Sequence, residues 1–209
     1  MSAIILACSP AECEKIANGN MSILVRKKVP NESNLPIKVY IYCMKSDKYL
    51  LDSDCDGSMF CWDKKSHHYP FKFEKDFNEL FNGKVIGEFV CNKVDKYTFS
   101  HYEAEYRVTH IEQEAMCLNH SDLIRYGKGK MLYGLHITAL KIYDKPKELS
   151  EFRKPLDRVY CSYYRDYCEE GCVGFGSTDY VCNDYWNWKK GLTRPPKNYI
   201  YVEEQENKQ

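Results

Sequence analysis

The sequence predicts an α+β fold built around one strongly curved, mixed β-barrel-like sheet. Three observations carry that expectation: several short runs with strand-type alternation, short helical segments between them, and no internal repeat or low-complexity tract. At 209 residues the chain is long enough for one filled core and too short to suggest two without a visible linker. It reads as a single domain over 1–209 with insertions at 44–75 and 150–192 and a frayed tail at 203–209.

Residues 3–7 are a compact apolar run of strand length, and Ser9-Pro10 then supplies an N-cap followed by proline at the first helical position. The helix carries Cys13, Ile16 and Ala17 on one face, leaves Glu12, Glu14 and Lys15 for solvent, and stops at Asn18-Gly19. A second strand over 22–29 places Ile23 and Val25 on one face and Leu24 and Arg26 on the other, and Pro30 ends it. Residues 38–43 alternate Val39 and Ile41 against Tyr40 and Tyr42, so both faces of that strand are expected to be covered.

After the first insertion, 84–91 and 97–108 resume β-type patterning. Residues 112–126 read as two short helices broken near Asn119-His120-Ser121, with Ser121 able to cap the second. Alternation over 135–143 predicts one central strand closed by Asp144-Lys145-Pro146, and Pro195-Pro196 leads into a last strand at 199–202.

Composition narrows the function. The chain is 44% hydrophobic and 29% charged, which is the balance of a folded globular protein. Thirty basic and thirty acidic side chains give no global positive field, so any nucleic-acid contact must be a local patch. No run approaches the roughly 18 apolar residues of a membrane span, and no export signal is evident, so the eleven cysteines, an odd number, are expected as reduced thiols in a cytoplasm. The phosphate loop, the dinucleotide glycine fingerprint, the H-E-x-x-H metal helix and the G-x-S-x-G nucleophile elbow are all missing from the sequence.

Ser9-Pro10, Ile16-Ala17-Asn18-Gly19 and Val25-Arg26-Lys27, followed by the runs at 36–43, 83–89, 133–137 and 141–146 and the ending Arg194-Pro195-Pro196, resemble phage and prophage members of the ASCH family. The resemblance implies a PUA-like barrel with a cleft beside the first helix and the following strand, used by family members for RNA or modified nucleosides in a host cytosol. In the hydrolytic members a lysine and a threonine after the glycine cooperate with a glutamate. Here Met21 stands where the lysine is expected and Ser22 where the threonine is. Methionine cannot exchange a proton, and general acid–base assistance is worth roughly 10²–10⁴-fold, so the expectation leans towards binding without catalysis.

The expected ligand set is Ser9, Ser22, Arg26, Lys27, Lys28, Tyr40 and His136. Arginine forks onto phosphate, lysines act as point charges, and tyrosines (Tyr40, Tyr42 or Tyr133, with Trp62) stack bases. The bland alternative for the basic run is a solvated strand end, and for any one tyrosine among eighteen a packing role. If the chain is instead an amidohydrolase or ribonuclease, Ser22, Glu88, Glu114 and His136 are the residues expected to serve it. A third reading is a protein-interaction module working through the insertions. No cofactor is expected, apart from a structural zinc on Cys161, Cys168, Cys172 and Cys182, whose spacing is not the usual pair of C-x2-C knuckles.

Overall fold

The computed structural model describes residues 3–45, 81–102, 104–155 and 191–204. Most of the two expected insertions, the four-cysteine zinc candidate, Trp62 and the end of the tail lie outside these residues. Within them the fold is α+β, the class the sequence predicts, with a curled half-barrel sheet and three short helices.

A six-stranded sheet has the order β10 (Phe152–Arg153), β11 (Tyr199–Glu204), β1 (Ala3–Cys8), β3 (Ile37–Cys43), β4 (Val85–Cys91) and β9 (Thr138–Lys147). Only the β1–β3 pair is parallel, running from Ala3 opposite Lys38 to Cys8 opposite Cys43. A parallel neighbour requires a crossover. The connection contains helix α1 (Pro10–Ala17) and strand β2 (Ile23–Arg26). β2 joins a second, three-stranded sheet with β8 (Leu132–His136) at its centre and β5 (Val94–Tyr97) on the far side. A small ribbon of β6 (Phe99–Ser100) and β7 (Glu105–Tyr106) leads to helices α2 (His110–Met116) and α3 (His120–Gly127).

The alternation read in β2 explains how the layers stack. Leu24, with Leu135 of β8, enters the core between the six-stranded sheet and α1, which also holds Ile4, Leu6, Ile16, Val39, Ile41 and Phe89. Ile23 and Val25 face the other way, into a cluster with Tyr97, Tyr106, Met116, Leu123 and Leu132 beneath α2 and α3. On the outer face of the six-stranded sheet, Tyr40 and Tyr42 pack with Ile5, Val85, Tyr143 and Phe152. β3 is therefore covered on both sides, as its alternation predicts.

Three details differ from expectation. The strand predicted over 135–143 is two strands in different sheets: Ile137 donates its N–H to the Ser22 carbonyl at 2.9 Å and Ala139 adopts φ +48°, so the chain passes from one sheet to the other. β8 is central in its sheet, whereas β9 is an edge. The cap of α3 is Asn119, whose side chain accepts the Asp122 N–H at 2.9 Å while the Asp122 carboxylate accepts the Asn119 N–H at 3.2 Å; Ser121 sits inside the first turn. The last strand also runs on to Glu204, two residues into the expected tail.

Candidate functional site

Arg26 shares the inward face of β2 with Leu24, so a guanidinium is carried to the edge of an apolar core. An unpaired charge there would be very costly. Its partner comes from α1. Ser9 caps that helix through a reciprocal box, its hydroxyl accepting the Glu12 N–H at 3.2 Å while the Glu12 carboxylate accepts the Ser9 N–H at 2.7 Å. The same carboxylate receives Arg26, with Nη1 donating to Oε1 at 2.6 Å and Nη2 to Oε2 at 3.3 Å. Arg26 also donates to the carbonyls of Val25 and Ala7, at 2.8 and 3.0 Å, and to the Cys8 sulfur at 3.3 Å. Burial alone would raise the Glu12 carboxyl, but the Arg26 charge and the bonds from Arg26 and Ser9 hold it below the ordinary range.

This pair closes one side of a cleft of about 470 Å³. α1 contributes Ser9, Ala11, Glu12 and Lys15, and the approach and body of β2 contribute Met21 and Val25. The turn between α2 and α3 adds Cys117 and Leu118, and α3 presents Asp122, Arg125 and Tyr126 at i, i+3 and i+4 on one face. The lining is apolar at Met21, Val25 and Leu118, with convergent polar groups around it. Asp122 is committed to its cap and to Arg125, whose Nη2 donates to it at 2.7 Å. Lys15 reaches the Cys117 carbonyl at 3.4 Å. The Tyr126 phenol is raised by burial and stays protonated at neutral pH, with the Lys27 ammonium 4.7 Å from its ring centroid.

Lys27 is also the boundary of a second, more open groove of about 460 Å³, lined by Lys27, Lys28, Lys96, Glu32, Asn31, Tyr133 and Tyr199 among others. Its geometry comes from strand register: Arg26 opposes Tyr133, and Tyr133 opposes Lys96, so cation, ring and cation form one row across the three-stranded sheet. Lys96 pairs with Glu32 at 2.6 Å. Lys28 is exposed and has no ion-pair partner among the described residues.

The other expected site residues are dispersed. Tyr40 is 4% exposed on the outer face of the six-stranded sheet, edge-on to Phe152 at 4.7 Å between centroids, and does not reach the cleft. Glu88 is on that same face, accepting from Tyr143 Oη at 2.5 Å and Lys38 Nζ at 3.2 Å; burial pushes it up, but these bonds hold it below the ordinary carboxylate range, opposite to what a general base needs. Glu114 is exposed, 3.3 Å from His110 on α2. His136 pairs through Nε2 with Asp95 Oδ2 at 2.6 Å, and burial's upward push on Asp95 is outweighed by His136 and Lys93, which lower it. Ser22 is exposed, its backbone tied to Ala115 and Ile137. Ser9 lines the cleft, and Arg26 braces it through Glu12 without lining it. No group of three or more His, Cys, Asp or Glu side chains able to hold a metal occurs among the described residues.

Sequence reasoning placed Glu12 in solvent and passed over Asp122, Arg125, Tyr126 and Lys96. Two signals pointed to Glu12 and to the α3 residues. Ser9-x-x-Glu12 is the capping-box spacing, and Asp122, Arg125 and Tyr126 share a helical face.

No protein-family model matches the chain, and no curated protein matches it. Among solved structures it is similar to an ASCH protein from Zymomonas mobilis, with a TM-score of 0.41 and 12% identity over 78% of this chain and 82% of that one. Two point variants of that protein give TM-scores of 0.37 and 0.39, each at 12% identity, covering 79% and 96% of this chain and 86% and 88% of theirs. At that identity and superposition the likeness carries no residue role and no ligand to this chain.

Proposed function

We propose that the protein is an ASCH-like binding module that takes RNA or a modified nucleotide in the cleft between α1, β2 and α3. The observation that carries this reading is the cleft itself. It encloses about 470 Å³, within the range of small-ligand sites, and combines an apolar lining with a protonated phenol and the cations Lys15 and Arg125. Such a lining suits a planar, partly polar ring bearing an anionic substituent. Met21 gives the cleft a thioether in place of an exchangeable amine, and the carboxylates nearest the ligand, Glu12 and Asp122, are already held as ion pairs and caps. Those features favour retention of a ligand over turnover. No helix among the described residues is long and apolar enough to cross a membrane. The five described cysteines are free thiols, and a cytosolic setting is part of this proposal.

The test is to incubate the purified protein with total RNA and a mixture of modified nucleosides, and to follow retained ligands and new products by mass spectrometry. Retention without turnover, lost in a Tyr126→Ala, Arg125→Ala variant, is the expected result. Product formation would make the protein an enzyme, and retention unaffected by that variant would move the site elsewhere.

A further inference from the structure

We infer that Cys13 and Cys43 form a buried dithiol that a hydroperoxide closes to a disulfide, clamping α1 to the end of β3. The inference does not depend on what the cleft binds. Strand register and helix phase bring the sulfurs together. Cys8 ends β1 directly opposite Cys43, the last residue of β3, in the one parallel pair. Cys13 lies on the apolar face of α1, and all three side chains belong to the same buried cluster. The Cys13 thiol is within hydrogen-bond reach of the Cys43 and Cys8 sulfurs and of the Cys8 carbonyl, the last at 3.9 Å.

Cys91 shows what a packing role looks like: buried in the same cluster, it donates to the Lys93 carbonyl at 3.3 Å, and burial raises its thiol. The three at the strand end differ in facing one another and in how they share charge. Cys13 is raised by burial and by its bonds with Cys43 and Cys8, whereas the bond from Cys13 lowers Cys43 against the upward push of burial. Cys43 is therefore the nucleophile and Cys13 the resolving thiol. Cys8 is set apart, because its sulfur already accepts from Arg26 Nη2 at 3.3 Å. The residue after Cys43, Met44, is 40% exposed, which gives a molecule as small as peroxide a short path. The Cys43 thiolate attacks one peroxide oxygen, breaking the O–O bond and leaving a sulfenic acid and hydroxide. Cys13 then attacks that sulfur, forming the S–S bond as the S–O bond breaks, and the two thiol protons leave with the oxygens. Two thiols and one hydrogen peroxide thus give one disulfide and two waters. The bond draws the sulfurs to about 2.0 Å and closes a loop of about 30 residues, tying to the sheet the helix that carries Glu12 and Lys15 to the cleft.

The experiment treats the full chain, reduced and freed of reductant, with graded hydrogen peroxide, then alkylates it in urea and maps every cysteine by peptide mass spectrometry. Hydrogen exchange of the α1 amides is followed on the oxidised and the re-reduced protein. Support is a Cys13–Cys43 linked peptide that dithiothreitol reverses, formed while Cys91 stays a thiol, with α1 exchanging slower by about tenfold or more in the linked form. Cys13→Ala and Cys43→Ala should each lose both effects, and the peptide map of the parent decides the question if either variant fails to fold. Cys13 and Cys43 remaining thiols at peroxide that oxidises Cys117, either one joined to another cysteine, or sulfinic acid at Cys43 with no link, overturns the pair. A link that forms only in urea overturns the folded geometry as its cause. A link that leaves α1 exchange unchanged, or slowing that persists in a folded variant, overturns the clamp.

Discussion

Replacing Glu12 by alanine is the perturbation that most directly examines how the cleft is built. The substitution leaves the Arg26 guanidinium, with its side chain only 10% exposed, without its counter-charge. Breaking a buried ion pair from one side costs about 3–5 kcal/mol. Glu12 keeps 29% of its side chain open towards the cleft, so the lower end, about 3 kcal/mol, applies. Losing the bond to the Ser9 N–H adds about 0.5 kcal/mol, since the Ser9 hydroxyl still caps the helix. At roughly 2–4 °C per kcal/mol for a chain of this size, Tm should fall by about 7–14 °C. A Glu12→Leu, Arg26→Met double variant removes both charges and should return to within about 1 kcal/mol of the parent, giving a coupling energy above about 2 kcal/mol in a urea double-mutant cycle.

The same pair has a pH signature. Glu12 is held below its ordinary range in the folded chain, so its contribution is fully present above the unfolded carboxylate value and is lost as pH falls through the lower, folded one. Stability of the parent relative to Glu12→Gln should therefore be constant at neutral pH and converge only in acid, beginning below about pH 5. A Glu12→Ala variant within about 1 kcal/mol of the parent, or an acid limb identical in Glu12→Gln, would refute the assignment of this pair as the brace between α1 and β2.

Three further outcomes come from local geometry. Gly127→Ala should destabilise by about 3 kcal/mol or more, because its Cβ would lie 1.7 Å from the hydroxyl of fully buried Tyr106, which is held by its bond to the Lys130 carbonyl; Gly19→Ala meets only open space and should cost about 1–2 kcal/mol from its positive φ, both read by urea titration. Cys117, half-buried in the cleft lining, should alkylate faster than Cys8, Cys13, Cys43 and Cys91, with a rate that climbs through alkaline pH because burial raises its thiol against the pull of Lys15; peptide mass spectrometry reads each site, and a bound ligand should protect Cys117. Asp95→Asn should cost about 1 kcal/mol, since its contact with Lys93 is exposed and the one with His136, only partly buried, keeps a neutral hydrogen-bond partner in the amide; a much larger loss by thermal melt would assign that pair to the core.

The parts of the fold visible in the sequence are those where one local rule suffices. Ser9-Pro10 and Asn18-Gly19 bracket α1 because capping and left-handed exits are decided within a few residues, and the phase of Ile23, Leu24, Val25 and Arg26 is a property of four consecutive side chains. The split at Ile137 was not visible, because alternation continues unbroken through a chain that changes sheets; what interrupts it is a hydrogen bond to Ser22, more than a hundred residues away in sequence.

The site divides along the same line. A basic residue in phase with Leu24 carried a structural demand, that something inward must neutralise it, and the capping-box glutamate one helix earlier was the local acid able to do so. Reading Arg26 as a free phosphate grip treated its charge as available, whereas five bonds to Glu12, Val25, Ala7 and Cys8 show it committed. The cations left for a ligand are the neighbours that burial does not claim: Lys27 and Lys28, which continue outward past the strand end, and Lys96, which reaches the same groove only through the pairing of β5 with β8. Sequence proximity identified the first two. The third depends on register, which no single stretch of chain encodes, and so the groove emerges only once the three strands are laid side by side.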